Sequence, residues 1–350
     1  MNKIFSEQLK KIKKDTLRLK KFSKNKKENQ NYCIETENIF FDYSRNIIDE
    51  KSVENLLKLA YLIDIKKNYK KIISGHISNK SENRKVLHSA MRSTSSLLDK
   101  NITKDIRRHK EILKKISQDI ISGKKKSFSN KKYTDIVSVG TGGSFFGIKA
   151  AYEALKNYSS KNIKLHFISN LDFTENKDLL NSLDPNKTLF IIVSKSFKTI
   201  ETLENIKKIK FWLKKYSKNY NVMNNFLAVT ENESEAKKLG INQRNIIKIW
   251  EWLGGRYSIW SGVSIGLIIC IGYKNFSKFL YGAQRADEHF FKKQYKNNIP
   301  VIMALLSFYY SNYFSAQSHL ILPYNYRLRF LHDHIQQLEM ESNGKSIDAN

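Results

Sequence analysis

Cysteine is nearly absent: Cys33 and Cys270 are the only two in 350 residues. They lie far apart and without CxxC spacing, which argues against a zinc–thiolate site and against a disulfide framework, and fits a reducing cytoplasm. Long apolar runs are missing too. The longest, Val263 to Tyr273, falls well short of the roughly 20 residues of a membrane-spanning helix, and Met1 to Lys20 lacks the apolar segment of a signal peptide, so no membrane partner is expected. Proline (3) and glycine (14) are scarce, and acidic residues (33) are outnumbered by Lys and Arg (62), giving a formal charge of +29. Such an excess is the electrostatic footprint of nucleic-acid binders. Here, however, it is spread along the whole chain, with no interleaving of basic and aromatic residues and no groove-reading motif, so a nucleic-acid partner is not expected. The densest run is Lys10, Lys11, Lys13, Lys14, Arg18, Lys20, Lys21, Lys24, Lys26 and Lys27. It reads as a solvated helix face in preference to a binding arm.

What is present is enough to fold. A hydrophobic fraction of 41% and an aromatic fraction of 12% are ordinary for a globular protein, and the length allows two domains. Apolar residues recur at three- and four-residue spacing over Ser52 to Leu62 and Arg84 to Leu98, which predicts amphipathic helices and a mainly helical first third. The period then changes. Asp135 to Val139, Ile163 to Ser169, Leu189 to Val193 and Phe226 to Thr230 read as short buried strands separated by helical stretches, the pattern of a parallel sheet flanked by helices. After Trp250 the chain is helical again to about Tyr313, and Leu320 to Pro323 reads as the first strand of another sheet. The fold class is therefore α/β.

Two loops could hold an anion. Gly140-Thr141-Gly142-Gly143-Ser144 follows a strand and opens a helix, where free N–H groups and the positive end of the helix dipole favour a phosphate. Phe145 stands where the third glycine of GxGxxG would be, which disfavours a dinucleotide. Ser194, Lys195, Ser196 and Thr199 follow the Leu189 to Val193 strand and again precede a helix. Strands of a parallel sheet present their carboxyl ends on one edge, so both loops can face one phosphate monoester. Asn343-Gly344-Lys345-Ser346 is not a P-loop, because Glu339 occupies the place of its first glycine. His332 and His334 diverge on a helix and read as surface residues, so no metal site is expected.

These loops are joined by Trp250 to Ser261 (WEWLGGRYSIWS) and Gln336 to Lys345 (QQLEMESNGK). In this order the four segments resemble the signatures of the glucose-6-phosphate isomerase family. The resemblance extends through Asp42 to Asn46, Glu82 to His88 and Leu320 to Tyr324, and covers nearly everything from about Phe40 to Lys345. It implies sugar-isomerase (SIS) domains, each a three-layer sandwich: a helical region over 1–110 with a basic start, a first α/β domain over 111–285, and the beginning of an incomplete second one over 286–350. It also implies a homodimer and interconversion of glucose 6-phosphate and fructose 6-phosphate without metal or other cofactor. By position, Gly143, Ser144, Ser194, Lys195, Ser196 and Thr199 look like phosphate and sugar contacts. Ser196 stands where many members have threonine, and Ile200 where many have glutamine. Glu341 looks like the base that moves a proton between the two carbons, Gln337 a substrate contact, and Arg256 the group that offsets charge on the enediolate. The family pattern continues past this block with a ring-opening histidine and a late lysine, so the expectation is a truncated member that keeps the phosphate pocket and base and is either weakly active or completed by a carboxyl-terminal fragment.

Overall fold

The structure, a computed structural model, describes Glu7 and residues 30–79, 83–93, 98–217 and 220–341. The run from Lys10 to Lys27 and the Asn343 to Ser346 segment lie outside the described residues. In chain order come strands β1 (Cys33–Glu35) and β2 (Phe40–Asp42), helices α1 (Glu50–Leu62) and α2 (Ile65–Ile73), a short pair β3 (Ile77–Asn79) and β4 (Arg84–Lys85), and the long helix α3 (Lys100–Ser122). Strands and helices then alternate: β5 (Asp135–Val139), α4 (Phe146–Ala154), β6 (Lys164–Ile168), α5 (Phe173–Asn181), β7 (Thr188–Val193), α6 (Ile200–Lys214), β8 (Phe226–Thr230), α7 (Glu233–Lys238) and β9 (Ile246–Lys248). Helices α8 (Ile265–Ile271), α9 (Tyr273–Lys292), α10 (Ile299–Tyr313) and α11 (Leu331–Gln336) follow, the last running into a π-turn over Gln337–Glu341.

The chain divides into two compact units, one of residues 1–71 and 283–320, the other of 72–282 and 321–350. In the first, β1 and β2 form an antiparallel hairpin, and Leu56 and Leu59 of α1 share a core with Val301, Leu305 and Tyr309 of α10. The second is built on a five-stranded sheet of order β6-β5-β7-β8-β9, parallel throughout. Side chains alternate across a strand, and the two faces are visible in the packing. Ile136, Leu189, Ile191 and Leu227 join a core with α3 and α8. Val137, Phe190, Ile192 and Ala228 join another with Ile206, Ile209 and Leu213 of α6. A sheet covered on both faces needs a nearly continuous apolar run along its central strand, and all six residues of β7 are buried, five of them apolar.

Helix α3 shows how local chemistry sets its bounds. Asp99 accepts from the N–H groups of Asn101 and Ile102 at the start, and Gly123 takes φ 79° at the end, a left-handed cap that suits glycine. Helix α8 is buried at all seven positions, which accounts for the apolar stretch from Val263 as core. Among the described residues no helix is long and apolar enough to cross a membrane.

Three expectations need correction. Over its described residues Arg84 to Leu98 is not an amphipathic helix: β4 pairs with β3, and a 3-10 turn over His88–Met91 buries Leu87, Ala90 and Met91. One tight turn satisfies the same apolar spacing that a helix would. The sheet has a fifth strand, β9, whose three residues are too few to show a period. Leu320 to Pro323 has no regular secondary structure and pairs with no strand among the described residues, and a strand is completed only by a neighbour's hydrogen bonds.

Candidate functional site

The order of the sheet reverses between β5 and β7, since β6 lies on one side of β5 and β7 on the other. Ligands of open parallel sheets bind at the carboxyl ends of strands where the order reverses. Both predicted loops leave from that place, residues 140–144 from β5 and 194–199 from β7. They also touch. A Cβ on Gly140 would stand 2.7 Å from the Val193 carbonyl oxygen and 2.8 Å from Ser144 Cβ.

Each loop is shaped by short-range bonds. In the first, Gly142 has φ 54° and the Ser144 N–H donates to the Thr141 carbonyl at 3.0 Å. In the second, buried Ser194 accepts from the Phe197 N–H at 3.1 Å, which holds Phe197 at φ 55°. The Ser194 and Thr199 hydroxyls are 3.4 Å apart. Thr199 precedes α6 and makes no capping bond to it, so that helix start keeps unpaired N–H groups. Ser196 Oγ accepts from the Lys198 N–H at 3.2 Å. Lys195 donates through Nζ to the Glu251 carbonyl at 2.8 Å and lies 3.7 Å from Glu231.

Arg256 comes in from a third direction. A Cβ on Gly143 would meet the carbonyl carbon and oxygen of Gly255 at 2.3 Å and the Arg256 nitrogen at 2.7 Å, so the two backbones are in direct contact. Ser258 adds a hydrogen bond to the Gly143 carbonyl at 3.3 Å. The Arg256 guanidinium carbon lies 5.0 Å from the Tyr257 ring centroid, and its Nε is buried without a hydrogen-bond partner. His88 stacks on Tyr257 at 4.0 Å. Burial, with Arg92 and Arg256 close by, pushes the His88 pKa down to about 4, so the ring is neutral.

Gln337 is buried, its Oε1 without a partner, on the π-turn that packs against the 3-10 segment Gly255–Trp260. Such turns occur frequently at functional sites. Glu341 ends this turn, exposed, as the last described residue. The structure thus brings Gly143, Ser144, Ser194, Lys195, Ser196, Thr199 and Arg256 to one edge of the sheet, with Gln337 beside the Arg256 segment. Glu341 shares the turn of Gln337 and closes it.

Sequence reasoning missed Gly255, Tyr257 and His88. The paired glycines before Arg256 were a usable signal of close backbone approach; the His88 stack had none. His334, expected at the surface, is half-buried against Gly147. Among the described residues no group of three His, Cys, Asp or Glu could hold a metal. A cavity of about 510 Å³ in the first unit, lined by Tyr43, Asn46, Tyr310 and His319 among others, includes none of the candidate residues.

Comparison with known proteins gives a consistent result. Residues 42–350 match the family model described as phosphoglucose isomerase. The chain is 40% identical over 343 residues to glucose-6-phosphate isomerase of Francisella tularensis subsp. tularensis, covering 96% of this chain and 64% of that one. It thus spans under two thirds of the length of this relative. A crystal structure of a glucose-6-phosphate isomerase from Chlamydia trachomatis superposes with a TM-score of 0.85 at 26% identity, over 98% of this chain and 66% of that one. A hypothetical protein from Thermus thermophilus shares the fold, with a TM-score of 0.64 at 22% identity over 84% of this chain and 62% of its own.

Proposed function

Because this chain belongs to the phosphoglucose isomerase family, we propose that it binds a phosphosugar in the crevice between β5 and β7 and supplies the phosphate pocket and base for interconverting glucose 6-phosphate and fructose 6-phosphate. The decisive juxtaposition is that two hydroxyl-bearing loops leave adjacent parallel strands at the reversal point, with Gly143 pressed against Gly255 and Arg256. Ser144, Ser194, Ser196 and Thr199, with the N–H groups at the starts of α4 and α6, hold the phosphate, and Gly143 lets it come close to the backbone. Lys195, already held by Glu251 and Glu231, screens its charge. Gln337 contacts the sugar.

In this reading Glu341 takes the proton from C2 of the open-chain aldose. The electron pair of that C–H bond forms the enediolate, whose negative charge Arg256 offsets; the same carboxyl returns the proton to C1 while the proton of the C2 hydroxyl passes to O1, leaving C2 as the ketone carbonyl. The protein acts in the cytoplasm as a homodimer.

Titration and turnover test this separately. The 350-residue chain is expected to bind 6-phosphogluconate saturably, with Ser144→Ala and Ser194→Ala each weakening binding at least about tenfold, a charge-assisted hydrogen bond being worth roughly 1.5–3 kcal/mol. Unchanged binding in both variants rejects the pocket. Glu341→Gln should lower turnover in a coupled assay by about 10²–10⁴-fold, the usual contribution of a general base, while leaving 6-phosphogluconate affinity within about threefold. Turnover that survives Glu341→Gln removes the residue from the mechanism.

A further inference from the structure

Helix α11, which leads into Gln337 and Glu341, packs along α4, the helix that leaves the Ser144 loop. Three sets of contacts join them. Arg329, just before α11, is ion-paired with Glu153 near the end of α4. The Lys149 ammonium lies 4.4 Å from the Phe330 ring centroid and 5.1 Å from that of Phe145. Nearest the loop, His334 sits over Gly147, where an added Cβ would stand 3.0 Å from its Cε1 and 3.3 Å from its Nδ1.

The three differ in how well they set a distance. Arginine and lysine side chains are long and follow a shift of an ångström by changing rotamer. An imidazole against glycine backbone cannot, because packed atoms tolerate little displacement. His334 Nδ1 is buried and makes no hydrogen bond. Burial also lowers the pKa of the ring, which keeps it neutral. Three residues on, hence on the same helical face, lies Gln337, whose Oε1 is likewise buried without a partner.

We propose that His334 is a positioning residue of the candidate site: seated in the gap that Gly147 leaves, its ring sets the spacing between the Ser144 loop and the π-turn that presents Gln337 and Glu341. This rests on the reading of those residues as a phosphosugar site. A misplacement of about 1 Å in such a site can cost about 10²-fold, which is what the fit of ring to glycine prevents.

The test uses Gly147→Ala, His334→Ala, their combination and His334→Phe in the full chain. Amide hydrogen exchange of residues 141–147 and 331–341 is followed, and 6-phosphogluconate is titrated in parallel. Gly147→Ala pushes the ring away, so exchange in 331–341 should quicken at least about tenfold and affinity should fall by a similar factor, as expected when packed atoms are forced apart. In the double variant the added methyl meets no ring, so both readouts should match those of His334→Ala alone and fall short of the summed losses of the two single variants, the signature of coupled neighbours. His334→Phe fills the gap without Nδ1 and should hold both readouts within about threefold of the unsubstituted chain, whereas His334→Ala should not. Additive losses in the double variant overturn the proposal. So does a fall in melting temperature with affinity kept and exchange quickened evenly across the unit, which is what a merely structural contact would give. If Gly147→Ala fails to fold, His334→Phe against His334→Ala decides the matter. Exchange therefore judges the positioning role, and absence of 6-phosphogluconate binding in the unsubstituted chain rejects the phosphosugar reading independently.

Discussion

Gly143 and Gly255 meet backbone to backbone, with a Cβ on the former only 2.3 Å from the carbonyl carbon and oxygen of the latter. This contact joins the Ser144 loop to the Arg256 segment. Neither loop alone requires a glycine at 143; the meeting does. Gly143→Ala must displace one backbone, and overpacking of this kind costs about 1–3 kcal/mol. The expected result is a lower urea midpoint together with at least about tenfold weaker 6-phosphogluconate binding, measured by denaturation and titration on the same sample.

Ser194→Ala should lower stability even without ligand. The serine oxygen is the acceptor for the Phe197 N–H, and Phe197 is 1% exposed at φ 55°. Leaving a buried donor unpaired costs about 1–3 kcal/mol. Urea unfolding of the ligand-free chain checks this, and Ser196→Ala, whose hydroxyl bonds at an exposed position, is expected to change stability much less.

Acid should destabilise the fold through His109. Its Nε2 accepts from the Gly262 N–H at 2.9 Å, and burial, reinforced by Lys110, lowers its pKa to about 4. With the folded value below the unfolded one of about 6.5, the unfolded chain takes up the proton first. This contribution is fully present above pH 6.5 or so and is lost as pH falls toward 4, by an amount of order 3 kcal/mol. In His109→Leu the plot of unfolding free energy against pH between these limits should be shallower. An unchanged slope would remove His109 as the cause.

Cys270 should resist alkylation in the native protein. It is 2% exposed, and burial pushes its thiol up to about 12, so little reactive thiolate forms near neutral pH. Iodoacetamide labelling followed by mass spectrometry should show modification of Cys270 only after urea is added. Rapid native labelling would show that α8 opens locally.

Much of the second unit was legible locally. The strands at 135–139, 164–168, 188–193 and 226–230 are four of the five in the sheet, and the central ones were the plainest, because a strand covered on both faces reads as a nearly continuous apolar run such as Leu189 to Val193. Their following loops carried the hydroxyls and glycines that an anion pocket needs. Arg84 to Leu98 misled because the apolar spacing of a helix is met equally by one 3-10 turn that buries Leu87, Ala90 and Met91. Leu320 to Pro323 reads as a strand by composition, yet Leu320 and Leu322 are exposed and unpaired among the described residues. For His334, periodicity could say which face of the helix it shares with Gln337 but not that Gly147 waits opposite.

From the sequence alone came the alternation of strands and helices, and with it the placing of the Ser144 and Ser194 loops on a common edge, because side-chain periodicity and strand direction are local properties of the chain. The tertiary structure decided which backbones touch: Gly143 against Gly255, Gly147 under His334, the Tyr257 ring on His88. Those pairings join residues far apart along the chain, and a contact of that kind leaves no period in the sequence to be read.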